Sequence, residues 1–194
     1  SYTALKADMA NAALYGFDPD IFELSAEGLR LEVNVADSAG ATIDYQASFG
    51  DAVSPLGIGG TTAIDFADGE RLGVYAANAT LSIGQFLYFS GAISFTKASS
   101  SSELRTGQAL SPLNDAKGFA IGGSGITAFV GYAENGIDRD QTLAEQAEGL
   151  YGFGADGLDL GLLSLRDGAG VHYTALKAAA DNMAVYGFDP DDFQ

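Results

Sequence analysis

Residues Leu24–Val33 read LSAEGLRLEV. Leu24 and Ala26 share one parity, whereas Leu29, Leu31 and Val33 share the other. Apolar residues spaced two apart mark extended backbone with one face turned from water, because successive side chains of a strand point to opposite faces. A change of parity within one apolar face needs one inserted residue, which is what a β-bulge supplies. Gly28 sits at the change, and glycine reaches positive φ there without a Cβ clash. The same form recurs as VYAANATLSI at Val74–Ile83, IGGSGITAFV at Ile121–Val130 and FGADGLDLGL at Phe153–Leu162, with Asn78, Gly125 and Gly157 at the break. These segments predict an all-β fold of long, bulged, mostly antiparallel strands in a curved sheet or a sandwich. A parallel β-solenoid is the alternative, but spacings of 50, 47 and 32 residues between the breaks are too uneven for regular coils.

The connections point the same way. Gly84-Gln85 suits a two-residue hairpin turn, setting Ile83 opposite Phe86 and Leu81 opposite Tyr88. Asn135-Gly136, Asp167-Gly168 and Asp37–Ala41 are further turn signals. Ile43, Tyr45, Ala47 and Phe49 alternate and predict a strand, as does TALKAAADNMAVYG at Thr174–Gly187. Helical spacing is confined to Asp140–Leu150, where Leu143, Ala147 and Leu150 follow an acidic start and predict one short helix near 140–150. The Ser-rich stretch Lys97–Gly118 reads as a long surface loop.

The chain ends as it begins. YTALKADMANAALYGFDPD (Tyr2–Asp20) returns as YTALKAAADNMAVYGFDPD (Tyr173–Asp191), an offset of 171 residues. Between Ser1–Glu23 and His172–Gln194, 15 of 23 positions are identical, where unrelated segments of average composition would share roughly one or two. The expectation is one full repeat over 1–171 and the start of the next over 172–194, completing the fold or the junction between units of a longer tandem array.

Charge and composition narrow the functions. The formal net charge is -17, from 26 acids against 9 bases, which argues against binding nucleic-acid phosphates or anionic lipid. There is no cysteine, so disulfides, thiolate metal sites and cysteine nucleophiles are excluded. No apolar run reaches the 18 or so residues of a membrane helix, and membrane insertion is not expected.

The segments LSAEGLRLEVNVADSAGATIDY, AANATLSIGQFLYFSGAISFTKA and YTALKA resemble repeat units of very large, tandemly repeated bacterial proteins of adhesin-like, secreted or surface-bound kind. That resemblance implies an extracellular structural or adhesive role with no catalytic residues to carry over. The chain lacks the glycine-rich nonapeptide of calcium-binding repeat toxins and adhesins, so their metal ligands do not transfer.

Chemistry is sparse. His172 is the only histidine, and its counterpart one repeat earlier is Ser1, an unpromising pattern for a catalytic base. No GxSxG elbow is present, and the glycine runs at Gly57–Gly60 and Gly122–Gly125 lack the lysine of a phosphate loop. Alternate carboxylates can converge on Ca²⁺, which takes oxygen ligands; Asp18 with Asp20, and Asp138 with Asp140, are the candidate metal ligands. Their counterparts Asp189–Asp192, and the run Asp65, Asp68, Glu70, are weaker clusters. Phe86, Tyr88, Phe89 and Phe95 make an aromatic hairpin read as core, with contact to a neighbouring unit as the alternative. The expected function is a non-enzymatic structural or adhesive unit of an extended extracellular filament, partnered by copies of itself. The alternatives are an extracellular module for a glycan or apolar ligand and an Asp/Glu-dependent hydrolase.

Overall fold

The computed structural model describes residues 2–18, 20–49, 56–59, 62–67, 69–100 and 116–188. Its strands are β1 (Thr3–Ala13), β2 (Phe22–Val35), β3 (Leu56–Gly59), β4 (Thr62–Ile64), β5 (Arg71–Ile83), β6 (Leu87–Ser100), β7 (Ala116–Ala133), β8 (Leu150–Arg166), β9 (His172–Ala179) and β10 (Asn182–Tyr186). Among the described residues one helix forms, α1 (Tyr45–Phe49). An eight-stranded sheet runs β1-β2-β5-β6-β7-β8, and β9 and β10 follow one another along the outer side of β8. β3 and β4 pair separately. Every pairing is antiparallel, which overturns the solenoid alternative. Among the described residues the large sheet is single and open, not one half of a sandwich.

The parity breaks are real and lie side by side. Gly28, Gly125 and Gly157 take φ of 59°, 58° and 62°. Register shifts fall between Ala76 and Ala79 on β5, between Gly123 and Ala128 on β7, and opposite them between Ser90 and Ala92 on β6. Asn78 is anchored at the break by the Ser90 hydroxyl, which donates to its Oδ1 at 3.0 Å. The result is a seam of inserted residues crossing the sheet, with each apolar side chain kept on its own face above and below it.

The two faces differ. In one cross-strand row Ala7, Leu31, Val74, Phe95, Ile121, Leu162 and Leu176 stand in register across the whole sheet. One residue along, on the other face, the row reads Asp8, Arg30, Tyr75, Ser94, Gly122, Gly161, Lys177. That second face is covered at its two ends. At one end Tyr45, Ile64 and Phe66 pack over Ala4, and the buried Asn34 donates to the carbonyls of Ile43 and Gly69 at 3.2 and 3.0 Å. At the other end residues 134–149 fold back and seat Leu143 among Tyr88, Phe129, Leu150 and Tyr186.

Four local expectations are corrected. Tyr45–Phe49 is helix, not strand, because Asp44 caps it: the Ala47 amide donates to Asp44 Oδ1 at 2.7 Å, and the Tyr45 and Gln46 amides donate to the Phe66 carbonyl. Asp140–Leu150 is a series of turns. Thr142 and Glu145 bond reciprocally as in a capping box, but Gly149, at φ 82°, turns the chain into β8 after a single turn. The β5–β6 hairpin has a three-residue loop, so Ile83 faces Leu87 and Leu81 faces Phe89. There the carbonyls of Gln85 and Phe86 accept bonds from Ala133 and Gly131, and the neighbouring strand sets the register. Within Lys97–Gly118, β6 continues to Ser100 and β7 starts at Ala116; the remainder lies outside the described residues.

Gly28 tests the seam. A Cβ there would meet Ala77 Cβ at 2.8 Å in a left-handed backbone, whereas one at Gly161 would meet open space. Gly28→Ala is expected to cost about 1–2 kcal/mol from the backbone alone, with the clash added, and Gly161→Ala to stay within roughly 0.5 kcal/mol of the parent. Urea midpoints of the two variants check this.

Candidate functional site

The two edges of the sheet carry the same sequence. β1 forms one edge; β9 and β10 form the other, in a common register along β8 broken only near Asp181, whose amide donates to the Asp156 carbonyl at 3.1 Å. Thus residues 172–186 do not hang free but complete the sheet, whereas Asp189–Asp192 lie outside the described residues. Six antiparallel steps separate β1 from β9, so the head and tail copies run in the same direction.

The copies differ in surroundings. Tyr186 is 8% exposed against Phe129, Leu143 and Leu150, whereas its sequence counterpart Tyr15 is 86% exposed. At the other end of the strand the Tyr2 hydroxyl donates to Asp37 at 3.1 Å, and its counterpart Tyr173 donates to Asp167 at 3.2 Å. Asp37 and Asp167 do the same work in two turns, each accepting from the amides two and four residues on. Those amides, Ala41 and then Ala39, hold the Asp37 carboxyl below the usual range, and Asp37 in turn raises the Tyr2 hydroxyl. Burial, then the nearby Asp156 carboxylate, raises the Tyr186 hydroxyl, which has no hydrogen-bond partner among the described residues.

The apolar face offers a shallow groove of about 510 Å³ lined by Leu24, Leu29, Val74, Ile93, Phe95 and Ile121. Of the aromatic hairpin, Tyr88 is core, but Phe86 and Phe95 are exposed, each against another ring (Tyr132 at 5.9 Å and Phe119 at 5.7 Å). The core expectation therefore fails for these two rings, because they fall on the uncovered side. On the covered face a polar recess of about 300 Å³ is lined by Asn78, Ser90, Thr127, Asp138, Arg139 and Gln141. Arg139 pairs with Glu23, tying the 134–149 segment to β2, and Asp156 tethers it again by accepting from the Leu143 amide at 3.1 Å.

The acidic candidates are turn residues. Asp18 Oδ1 accepts from the Asp20 amide at 3.0 Å, and Asp138 Oδ1 accepts from the Asp140 amide at 3.0 Å. Gln141 occupies the second Asp138 oxygen at 3.0 Å. Among the described residues no three acidic or histidine side chains are grouped to share a metal ion. Asp65 and Glu70 are paired with Lys6 and Lys97 at 2.8 and 2.5 Å, and Asp68 lies outside the described residues. His172 stands opposite Arg166 at the start of β9. Gly57–Gly59 belong to β3 with Gly60 outside the described residues, and Gly122–Gly125 belong to β7. No described helix is long and apolar enough to cross a membrane.

Neither a protein-family model, nor a curated protein, nor a solved structure matches this chain.

Asp65 gives a pH test. Its hydrogen bond to Lys6, the largest cause, holds its folded pKa below the ordinary value. The linked stability is therefore present above the unfolded value, about 3.9, and is lost as pH falls through the lower folded value. Asp65→Asn is expected to flatten the decline in urea midpoint between neutral and strongly acid pH; parallel declines in variant and parent would show that the pair contributes nothing.

Proposed function

We propose that this chain is a non-enzymatic, structural or adhesive unit of an extended extracellular bacterial surface or matrix protein, joined end to end to copies of itself. One observation carries the reading: an open sheet ends at its two opposite edges in copies of one strand, pointing the same way. Open edges present unpaired backbone groups and are templates for further pairing, so a sheet built like this adds copies by the same bonds that hold each copy together. The charge of -17 supports solubility in a long assembly through self-repulsion. Sedimentation velocity and negative-stain microscopy of the intact chain test the reading. Linear assemblies that lengthen with concentration are expected; a strict monomer at every concentration would remove it.

The apolar groove favours a second reading, a module that holds an apolar ligand against the sheet. Calorimetric titration with a long-chain fatty acid checks it. Saturable binding at one site, lost in Phe95→Asp, would support this reading, and non-saturating uptake unaffected by that change would remove it.

A further inference from the structure

We propose that β8 is a receptor for the head strand of a second copy: Tyr2–Tyr15 of that copy replaces β9 and β10, so one strand closes one sheet and opens the next. The proposal rests on the end-to-end reading and adds its mechanism and register.

The tail already shows how such a strand binds. Leu176 lies opposite Leu162, Lys177 opposite Gly161, Met183 opposite Ala155 and Tyr186 opposite Gly152. The offset of 171 places Leu5, Lys6, Ala12 and Tyr15 of the second copy on the same four partners. The first six of these positions, Tyr2–Ala7, are identical in the tail. Among the described residues β1 pairs with β2 on one side only, so its outer edge can bond β8 while its inner edge keeps its own sheet. Direction is satisfied because head and tail strands are parallel to one another. The sheet then continues without interruption, with six strands, β1, β2, β5, β6, β7 and β8, added per copy.

Side chains supply the second, independent argument. Tyr15 is the exposed twin of a core residue. Seated opposite Gly152 it fills the place of Tyr186 among Phe129, Leu143 and Leu150. Tyr2 stands beside its Asp37 turn, and β8 brings the matching Asp167 turn to its other side. One position opposes docking: Asp8 would face Asp159, where the tail has Ala179. Arg30, 2.7 Å from Asp8, supplies the compensating charge.

The chain has no cysteine, so introduced thiols report pairing cleanly. An acceptor carries Leu162→Cys with Ala175→Pro and Lys177→Pro, which remove two N–H groups of β9 that face β8 and so uncover β8. It is mixed under mild oxidation with a donor carrying Leu5→Cys, or with an off-register donor carrying Ala13→Cys. A disulfide between positions 162 and 5, and its loss with the off-register donor, is the expected result. No link in an acceptor that keeps its β circular dichroism, or equal linking to both donors, overturns the proposal. If the acceptor does not fold, Leu162→Cys is placed in the otherwise intact chain with donor in excess. A 162–5 link that grows with donor concentration then supports the shared strand, and none at any concentration overturns it. Linear assemblies of the intact chain without this link would leave end-to-end joining and remove the shared strand; the link without such assemblies would keep the shared strand as a pairwise contact and remove the extended assembly.

Discussion

Backbone pairing between β7 and β8 and their neighbours carries most of the order in this molecule, because among the described residues only the small β3-β4 sheet with Tyr45 and Phe66 at one end, and residues 134–149 at the other, pack against the large sheet. Buried side chains gather in two small clusters at opposite ends of one face, around Phe66 and around Phe129. Between them the sheet is a single layer. A single layer can hold only if its ladders stay continuous, and continuity across long strands demands a device for the seam. Gly28, Gly125 and Gly157 provide it by absorbing an extra residue in left-handed backbone while the strands on either side remain paired. Close approach adds a second reason for glycine at two of these positions, since a Cβ at Gly28 or Gly157 would meet Ala77 or Asp181.

The seam also explains why the faces stay sorted. A strand as long as β8 would turn its apolar set to the wrong side if it simply gained a residue. The insertions on β7 and β8 compensate each other, so the register below Gly123 resumes above Ala128. Leu160 and Leu162 on one side of the break, and Phe153 and Ala155 on the other, therefore look toward the same side.

The seam was legible in the sequence because phase is a property of the chain itself: LSAEGLRLEV states its own break. What depended on a neighbour was not legible. The β5–β6 register is set by bonds from Gly131 and Ala133 to Phe86 and Gln85, far away in sequence. The alternation at Ile43–Phe49 was genuine, yet Asp44 and the Phe66 carbonyl together satisfied the amides of a helical turn instead. The Asp-x-Asp pairs illustrate the limit from the other side. Asp18 and Asp138 have both the spacing of a cation loop and the spacing of an Asx turn, so pattern does not separate the two; in the fold one oxygen of each accepts from the backbone amide two residues on. Tyr15 and Tyr186 make the point sharpest. Identical sequence, YGFDPD at the head and again at the tail, gives one exposed ring and one core ring.

That difference follows from parity at a larger scale. A repeat built from an even number of antiparallel strands returns its first strand pointing the way it started; an odd number would return it reversed, and no single strand could belong to two units. Six antiparallel steps, across five intervening strands, separate the two copies here, and the tail copy is accepted along β8 in one common register interrupted only near Asp181. The strand is thus read by β8 chiefly through its main chain, with Tyr186 as the side chain that fixes its position, since a slip of one residue would turn that ring from the Phe129 cluster to the open apolar face.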